Sequence, residues 1–185
     1  MSRKKIISHD AILDAAEAVV AELGAHRLSL NLVAERAGIS KGGLTYSFPT
    51  REALLNALTD RELVRYKAVV DAARGDGSDP RSLLLAQLHA MRVATAAVDA
   101  RTFSIMAAMT QSGAQLDAYR EQYSQYFRAL QNPSDPRATV LMLATEAMFM
   151  LRGSGLMQWS AEEWQALVDM VQEVCLPEAN SPPHE

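Results

Sequence analysis

Between Leu28 and Phe48 the chain reads LSLNLVAERAGISKGGLTYSF, and that order of caps and apolar positions admits few folds. Ser29 is placed to N-cap a short helix whose apolar residues Leu30, Val33, Ala34 and Ala37 recur at helical spacing. Gly38 follows, where a left-handed residue ends a helix at least cost. Ile39 plugs the turn and Ser40 caps a second short helix. In that second helix Leu44 and Phe48 share one face, while Lys41, Gly42, Thr45 and Tyr46 fall on the others. Two short helices, a tight glycine turn and a polar second helix with one anchored face predict a helix-turn-helix. Its second helix would enter a DNA major groove with its N-terminal residues toward the base edges. Gly42 and Gly43 would let backbone approach DNA, and the helix start favours a phosphate. Two packed helices of an ordinary α-protein are the plainer alternative.

The flanks extend the pattern. A long amphipathic helix precedes the unit, with Ile12, Leu13, Ala16, Val19, Val20 and Leu23 on its inner face and Gly24 at its end. After it, Pro49 breaks the second helix and Thr50 caps the next. From Ile12 to Leu55 the sequence resembles the DNA-binding domain of the TetR family of transcriptional regulators. The residues that carry this are Ala34-Glu35-Arg36-Ala37-Gly38-Ile39-Ser40-Lys41-Gly42, then Leu44, Tyr46, Phe48-Pro49 and Glu52-Ala53-Leu54-Leu55. Thr45 stands where the family commonly has an aromatic residue or leucine, and Ser47 where it has histidine. The operator sequence therefore does not carry over. Leu32 replaces the frequent acid, so no capping box supports the first short helix. With the resemblance, the candidate DNA-facing set is Ser29, Asn31, Ser40, Lys41, Gly42, Gly43, Thr45, Tyr46 and Arg51. Arg3, Lys4 and Lys5 form a basic arm that either reaches phosphates or stays a solvated terminus.

A chain of 185 residues can hold such a reading head and one larger domain. The expected division is a DNA-binding domain over 1–50, a helical ligand-binding and dimerisation domain over 51–176, and a polar, disordered tail over 177–185. Residues 1–74 carry 11 Lys/Arg against 9 Asp/Glu, a charge of +2, and residues 75–185 carry 7 against 13, a charge of −6. Only the first part therefore offers a face to a polyanion. No run reaches the ~18 uncharged apolar residues that span a membrane. The lone Cys175 and the lack of an apolar leader fit a reducing cytoplasm. Chemistry needs a cluster. His9, His26, His89 and His184 are scattered without ligand spacing, and no glycine-rich phosphate loop follows a strand. An enzyme, a metal site and a cofactor are all unexpected on this reading.

Downstream the chain is helical throughout, making the expected fold all-α with about nine helices. A helix over 51–73 with Leu54, Leu55, Leu58, Tyr66, Val69 and Val70 facing inward joins the head to the rest. Gly75 to Pro80 is the clearest linker, with Asp79-Pro80 opening a helix. Helices are then expected over 80–98, 100–112, 114–130, 135–153 and 161–176, broken at Asp99, Gly113, Asn132-Pro133 and Gly153-Ser154-Gly155. Ser160 to Glu163 is a capping box.

Val140 to Leu151, VLMLATEAMFML, is apolar nearly all round. With Trp164, Leu167, Val168, Val171 and Val174 it suggests a four-helix interface with a second copy, which the resemblance also implies; a large intrachain core is the alternative. The resemblance further implies a palindromic operator, a homodimer and a small-molecule effector in a helical pocket, with repression relieved by a population shift through the long helix from Arg51. Phe103, Met106, Met109, Tyr123, Glu146 and Met150 are the candidate ligand set, although Met and aromatic stripes also build plain cores. Tyr119, Tyr126 and Phe127 share the spacing of Tyr123. Glu146, the one acid between Asp135 and Glu162, has three possible settings: solvent, a bridge to Arg152 or Arg101, or a cavity wall that attracts a lipophilic cation. Regulators of multidrug efflux in the family make the last admissible. A DNA-binding regulator without small-molecule control, or a helical protein-interaction module, are the rival readings.

Overall fold

The computed structural model describes residues 8–77, 79–112, 121, 124, 128 and 136–176. Arg3 to Lys5, Gly113, the expected helix over 114–130, the break at Asn132-Pro133 and the tail over 177–185 lie outside or largely outside these residues. Among the described residues there are eight α-helices and no strand. They are α1 (His9–Leu23), α2 (Leu30–Ala37), α3 (Lys41–Ser47), α4 (Arg51–Arg74), α5 (Pro80–Val93), α6 (Ala96–Ser112), α7 (Arg137–Gly153) and α8 (Ala161–Cys175), with a 3-10 turn at Ala25–Arg27. None of the described helices is long and apolar enough to cross a membrane. The fold is all-α.

The helices start where side-chain oxygens can take up orphan backbone N–H groups. Ser8, Ser29, Ser40, Asp79 and Ser160 each accept a hydrogen bond from the backbone N–H three residues on. Glu163 completes the capping box by accepting from Ser160 N at 2.8 Å. One expected boundary moves. The break placed at Asp99 lies instead at Ala94-Thr95, where α5 ends and Thr95 Oγ1 accepts from Val98 N at 3.3 Å. Asp99 is thereby inside the first turn of α6, and it is free to serve a distant partner rather than a cap.

The chain divides into two compact units. The first holds the chain to Val64 together with the part of α6 from Ala100 on. Its core is built from Ile12, Ala16, Val19 and Val20 of α1, Val33 and Ala34 of α2, Leu44 and Phe48 around α3, and Leu54, Leu55 and Leu58 of α4. Each fully buried leucine contributes roughly 1.5–3 kcal/mol. The second unit holds Arg65–Asp99 and the chain from residue 119. Leu84 and Leu88 of α5, Leu141, Met142 and Met148 of α7, and Trp164, Val168, Cys175 and Leu176 of the last helix region form its core. Burial pushes the Cys175 thiol up, against a smaller pull from Arg137.

Of the inward candidates on α4, Val70 meets Ala86 and Ala90 of α5, but Tyr66 and Val69 are exposed by 50% and 37%. On α8, Trp164 and Val168 are core residues, and Leu167 and Val171 are half-buried and packed against that same core. Trp164 and Val168 therefore belong to the chain's own interior, with Leu167 and Val171 at its edge. Val174 does face outward, 66% exposed, with Met170 at 59%.

Arg152 explains how a charge is kept in this unit. It is 8% exposed; its Nε donates to Asp99 Oδ2 at 2.6 Å, its Nη2 to the Ala94 carbonyl at 3.1 Å, and its Cζ lies 3.4 Å from the Trp164 ring centroid. A buried guanidinium needs this full complement of partners. Trp164 is fixed in turn by its own Nε1, which donates to the Met91 carbonyl at 3.1 Å.

Candidate nucleic-acid interface

The turn between α2 and α3 follows from Gly38. At φ +67° it is left-handed, which costs glycine least, and it turns the chain so that Gly38 N donates to Glu35 O and Ile39 N to Ala34 O. Ser40 then restarts the helix, its Oγ accepting from Gly43 N at 3.1 Å. Leu44, wholly buried, pins α3 to the core, and Phe48 closes the far end against His9, ring centroids 5.0 Å apart.

With that face anchored, the rest of α3 is presented. Ser40, Lys41, Gly42 and Gly43 are exposed, Tyr46 is 93% exposed, and Thr45 is half-buried with its hydroxyl donated back to Gly42 O at 3.2 Å. At the start of α2, Asn31 is exposed and Ser29 half-buried. The capping hydroxyls of Ser29 and Ser40 accept hydrogen bonds from their own helices, which leaves each O–H hydrogen to donate outward. Gly42 is informative. A Cβ added there would meet nothing within 4 Å, and its φ lies outside the left-handed region. Among the described residues nothing calls for glycine at this position, although glycine in a helix costs about 1 kcal/mol relative to alanine.

Arg51 is placed differently from the rest of the DNA-facing set. Its Nε donates to Leu28 O and its Nη2 to Ala25 O, both at 2.9 Å, so the guanidinium braces the turn before α2. Two further arginines hold the helices in place. Arg36 of α2 grips Glu22 of α1 through Nη1–Oε1 at 2.6 Å and Nη2–Oε2 at 2.5 Å. That hydrogen bonding and charge hold the exposed Glu22 carboxyl below its usual range. Arg61 of α4 reaches Asp14 at 2.5 Å and Glu17 at 3.4 Å on α1. None of these pairings has a local spacing signature, so sequence reading missed them, as it missed Ser104, whose Oγ accepts from Ala25 N at 2.8 Å.

The candidate ligand residues are shared between the two units. Phe103 and Met106 are half-buried, and Met109 is buried against the Thr59 hydroxyl, all in the first unit. Glu146 is half-buried and Met150 is 51% exposed, both in the second. Tyr123, with Tyr119, Tyr126 and Phe127, lies outside the described residues. The arginines considered for Glu146 are engaged elsewhere: Arg152 with Asp99, and Arg101 with Glu62 at 3.0 Å. What Glu146 does influence is Tyr66, whose phenol is pushed up to about 12 by desolvation and then by the Glu146 charge. Among the described residues no group of His, Cys, Asp and Glu could hold a metal ion.

The sequence matches the family model described as bacterial regulatory proteins, tetR family, over residues 12–58, and the model described as tetracyclin repressor-like, C-terminal domain, over residues 81–175. Among curated proteins none matches. Among solved structures the chain is similar to a transcriptional regulator from Rhodococcus sp. Rha1, at 20% identity and TM-score 0.71, covering 96% of this chain and 100% of that one. It is similar to the fatty acid degradation regulator FadR from Bacillus halodurans, at 18% identity and TM-score 0.61, covering 98% and 100%. It is also similar to native NalD of Pseudomonas aeruginosa, the secondary repressor of the MexAB-OprM multidrug efflux pump, at 19% identity and TM-score 0.62, covering 90% and 93%. At these identities the likeness is one of fold.

Proposed function

Because the chain belongs to the TetR family of bacterial transcriptional regulators, we propose that it is a homodimeric repressor that binds a palindromic operator through α3 and leaves it when a small molecule binds the helical domain. The observation that carries the DNA reading is the surface of α3. An anchored helix exposes Lys41, two glycines and Tyr46, and Gly42 sits where only an outside partner would profit from a missing side chain. On this reading residues 1–50 are the reading head and 51–176 the effector and dimerisation domain. Ser29, Asn31, Ser40, Lys41, Gly43 and Tyr46 contact DNA, Thr45 faces base edges, and Arg51 acts by bracing the head. Two heads about 34–36 Å apart fit half-sites one helical turn apart.

Selection of DNA from a random pool by the purified protein tests this. Enrichment of an inverted repeat is the expected result; failure to enrich any sequence overturns the reading. With that operator in hand, Lys41→Ala should weaken binding to all DNA and reduce the salt slope by about one unit. Gly42→Ala should raise the melting temperature of the head yet weaken operator binding about tenfold, which is ~1.4 kcal/mol. Gel-shift titrations read both, and unchanged affinity in both would remove α3 as the reader.

For the effector, the half-buried Glu146, whose charge acts on the Tyr66 phenol, supports a lipophilic cation, since a carboxylate near an aromatic ring adds charge attraction to cation–π contact. Similarity to a repressor of a multidrug efflux pump makes efflux a natural target of control. In calorimetry with cationic, neutral and anionic amphiphiles, cations should bind wild type and lose about tenfold in affinity to Glu146→Gln. Equal binding by both proteins would take the anchoring role from Glu146.

A further inference from the structure

Ala25 follows α1 at its Gly24 end and is completely buried. Its N–H, beyond the reach of water, is taken by the Oγ of Ser104, 79 residues away on α6, at 2.8 Å. Its carbonyl is taken by Arg51, whose other nitrogen holds Leu28, the residue before the α2 cap Ser29. Gly24 turns the chain here at φ +78°, and a Cβ on it would come within 2.8 Å of His26 Nδ1, so the turn calls for glycine. The 3-10 turn that leads into the helix-turn-helix is therefore held at both backbone poles, by α6 on one side and α4 on the other.

We propose that Ser104 is a positioning residue for operator recognition, setting the attitude of the reading head through the Ala25 amide. This rests on the reading of the protein as a two-headed operator binder and assigns one device within it. A buried amide has a single hydrogen and no water to replace a lost acceptor, so the bond is either made or forfeited. Any displacement of α6 that withdraws the hydroxyl loosens the turn, while α2 and α3 stay seated on their own core through Val33, Ala34 and Leu44. Base contacts within one half-site are left untouched. What changes is how firmly each head is held for a given half-site spacing.

The test uses the full-length protein and duplexes carrying two selected half-sites in inverted order, with the spacing varied one base pair at a time, beside a single half-site. Wild type should prefer one spacing at least tenfold over its neighbours. Ser104→Ala should bind the single half-site within about twofold of wild type but show less than threefold spacing preference. Ser104→Thr, which keeps the hydroxyl, should restore it. Thr59→Val removes a buried hydroxyl from the same unit without touching the turn, and should keep the wild-type preference. A folded Ser104→Ala protein with undiminished spacing preference overturns the proposal, as does an equal loss in Thr59→Val. A wild type indifferent to spacing overturns the two-headed reading itself, and this proposal with it.

Discussion

Trp164→Ala is expected to destabilise the second unit by about 3–5 kcal/mol, the range for deleting a buried tryptophan. The side chain is 3% exposed and packed among core residues of α5 and α7, so a large cavity would remain. Two losses add to the cavity: the Met91 carbonyl forfeits its donor, and Arg152 loses the ring beneath its guanidinium while staying charged and buried. Trp164→Phe separates the contributions, because it keeps an aromatic face but not the N–H, and should cost about 1–3 kcal/mol. At roughly 2–4 °C per kcal/mol for a chain of this size, the alanine variant should melt on the order of 10 °C lower. Melting by far-UV circular dichroism checks this. A shift under 2 °C would mean that Trp164 is not holding α5, α7 and α8 together.

Met170→Glu is expected to divide the proposed dimer and lower operator affinity by about a hundredfold or more, since a half-site bound by one head forgoes the second head's contribution. Along α7, Val140, Leu143 and Met150 are exposed by 50–54%, and along α8 Met170 and Val174 by 59% and 66%. Their spacings of three, four and seven residues make a stripe on each helix. An unpaired carboxylate inside such an interface costs several kcal/mol, while on an open surface it costs almost nothing. Val171→Glu provides the contrast. That side chain packs against its own core, so the variant should lose fold stability as a monomer would. Light scattering and thermal melting separate the two outcomes. A Met170→Glu protein that remains dimeric would place the interface elsewhere.

The difference between Met170 and Val171 shows what a sequence discloses here. Apolar spacing announces that α8 has a covered side, yet the neighbour that covers it is a tertiary fact. Caps were legible because they are local: Ser29, Ser40 and Ser160 act on N–H groups three residues away. Gly38 was legible for the same reason. The α5–α6 boundary was not, because Asp99 looks like a better cap than Thr95 until Arg152, 53 residues on, claims it. Arg51 looked like a phosphate ligand from its place at a helix start, and its bonds to Ala25 and Leu28 have no signature in the chain. The helix-turn-helix could be read as a motif. Residue type alone selects no ligand set, since Met109 is buried and Met150 is exposed.

Cys175, the single cysteine, lies in the core of the second unit at 4% exposure. That gives the protein a built-in clock. A thiol reagent in solution can modify it only in moments when α8 lifts away, so the labelling rate, set against that of the unfolded chain, measures how often this core opens. A molecule that binds only the closed form lowers the open population by the factor 1 + [L]/Kd. Slowed labelling would therefore rank candidate effectors in plain buffer, before any operator is known and whatever their charge.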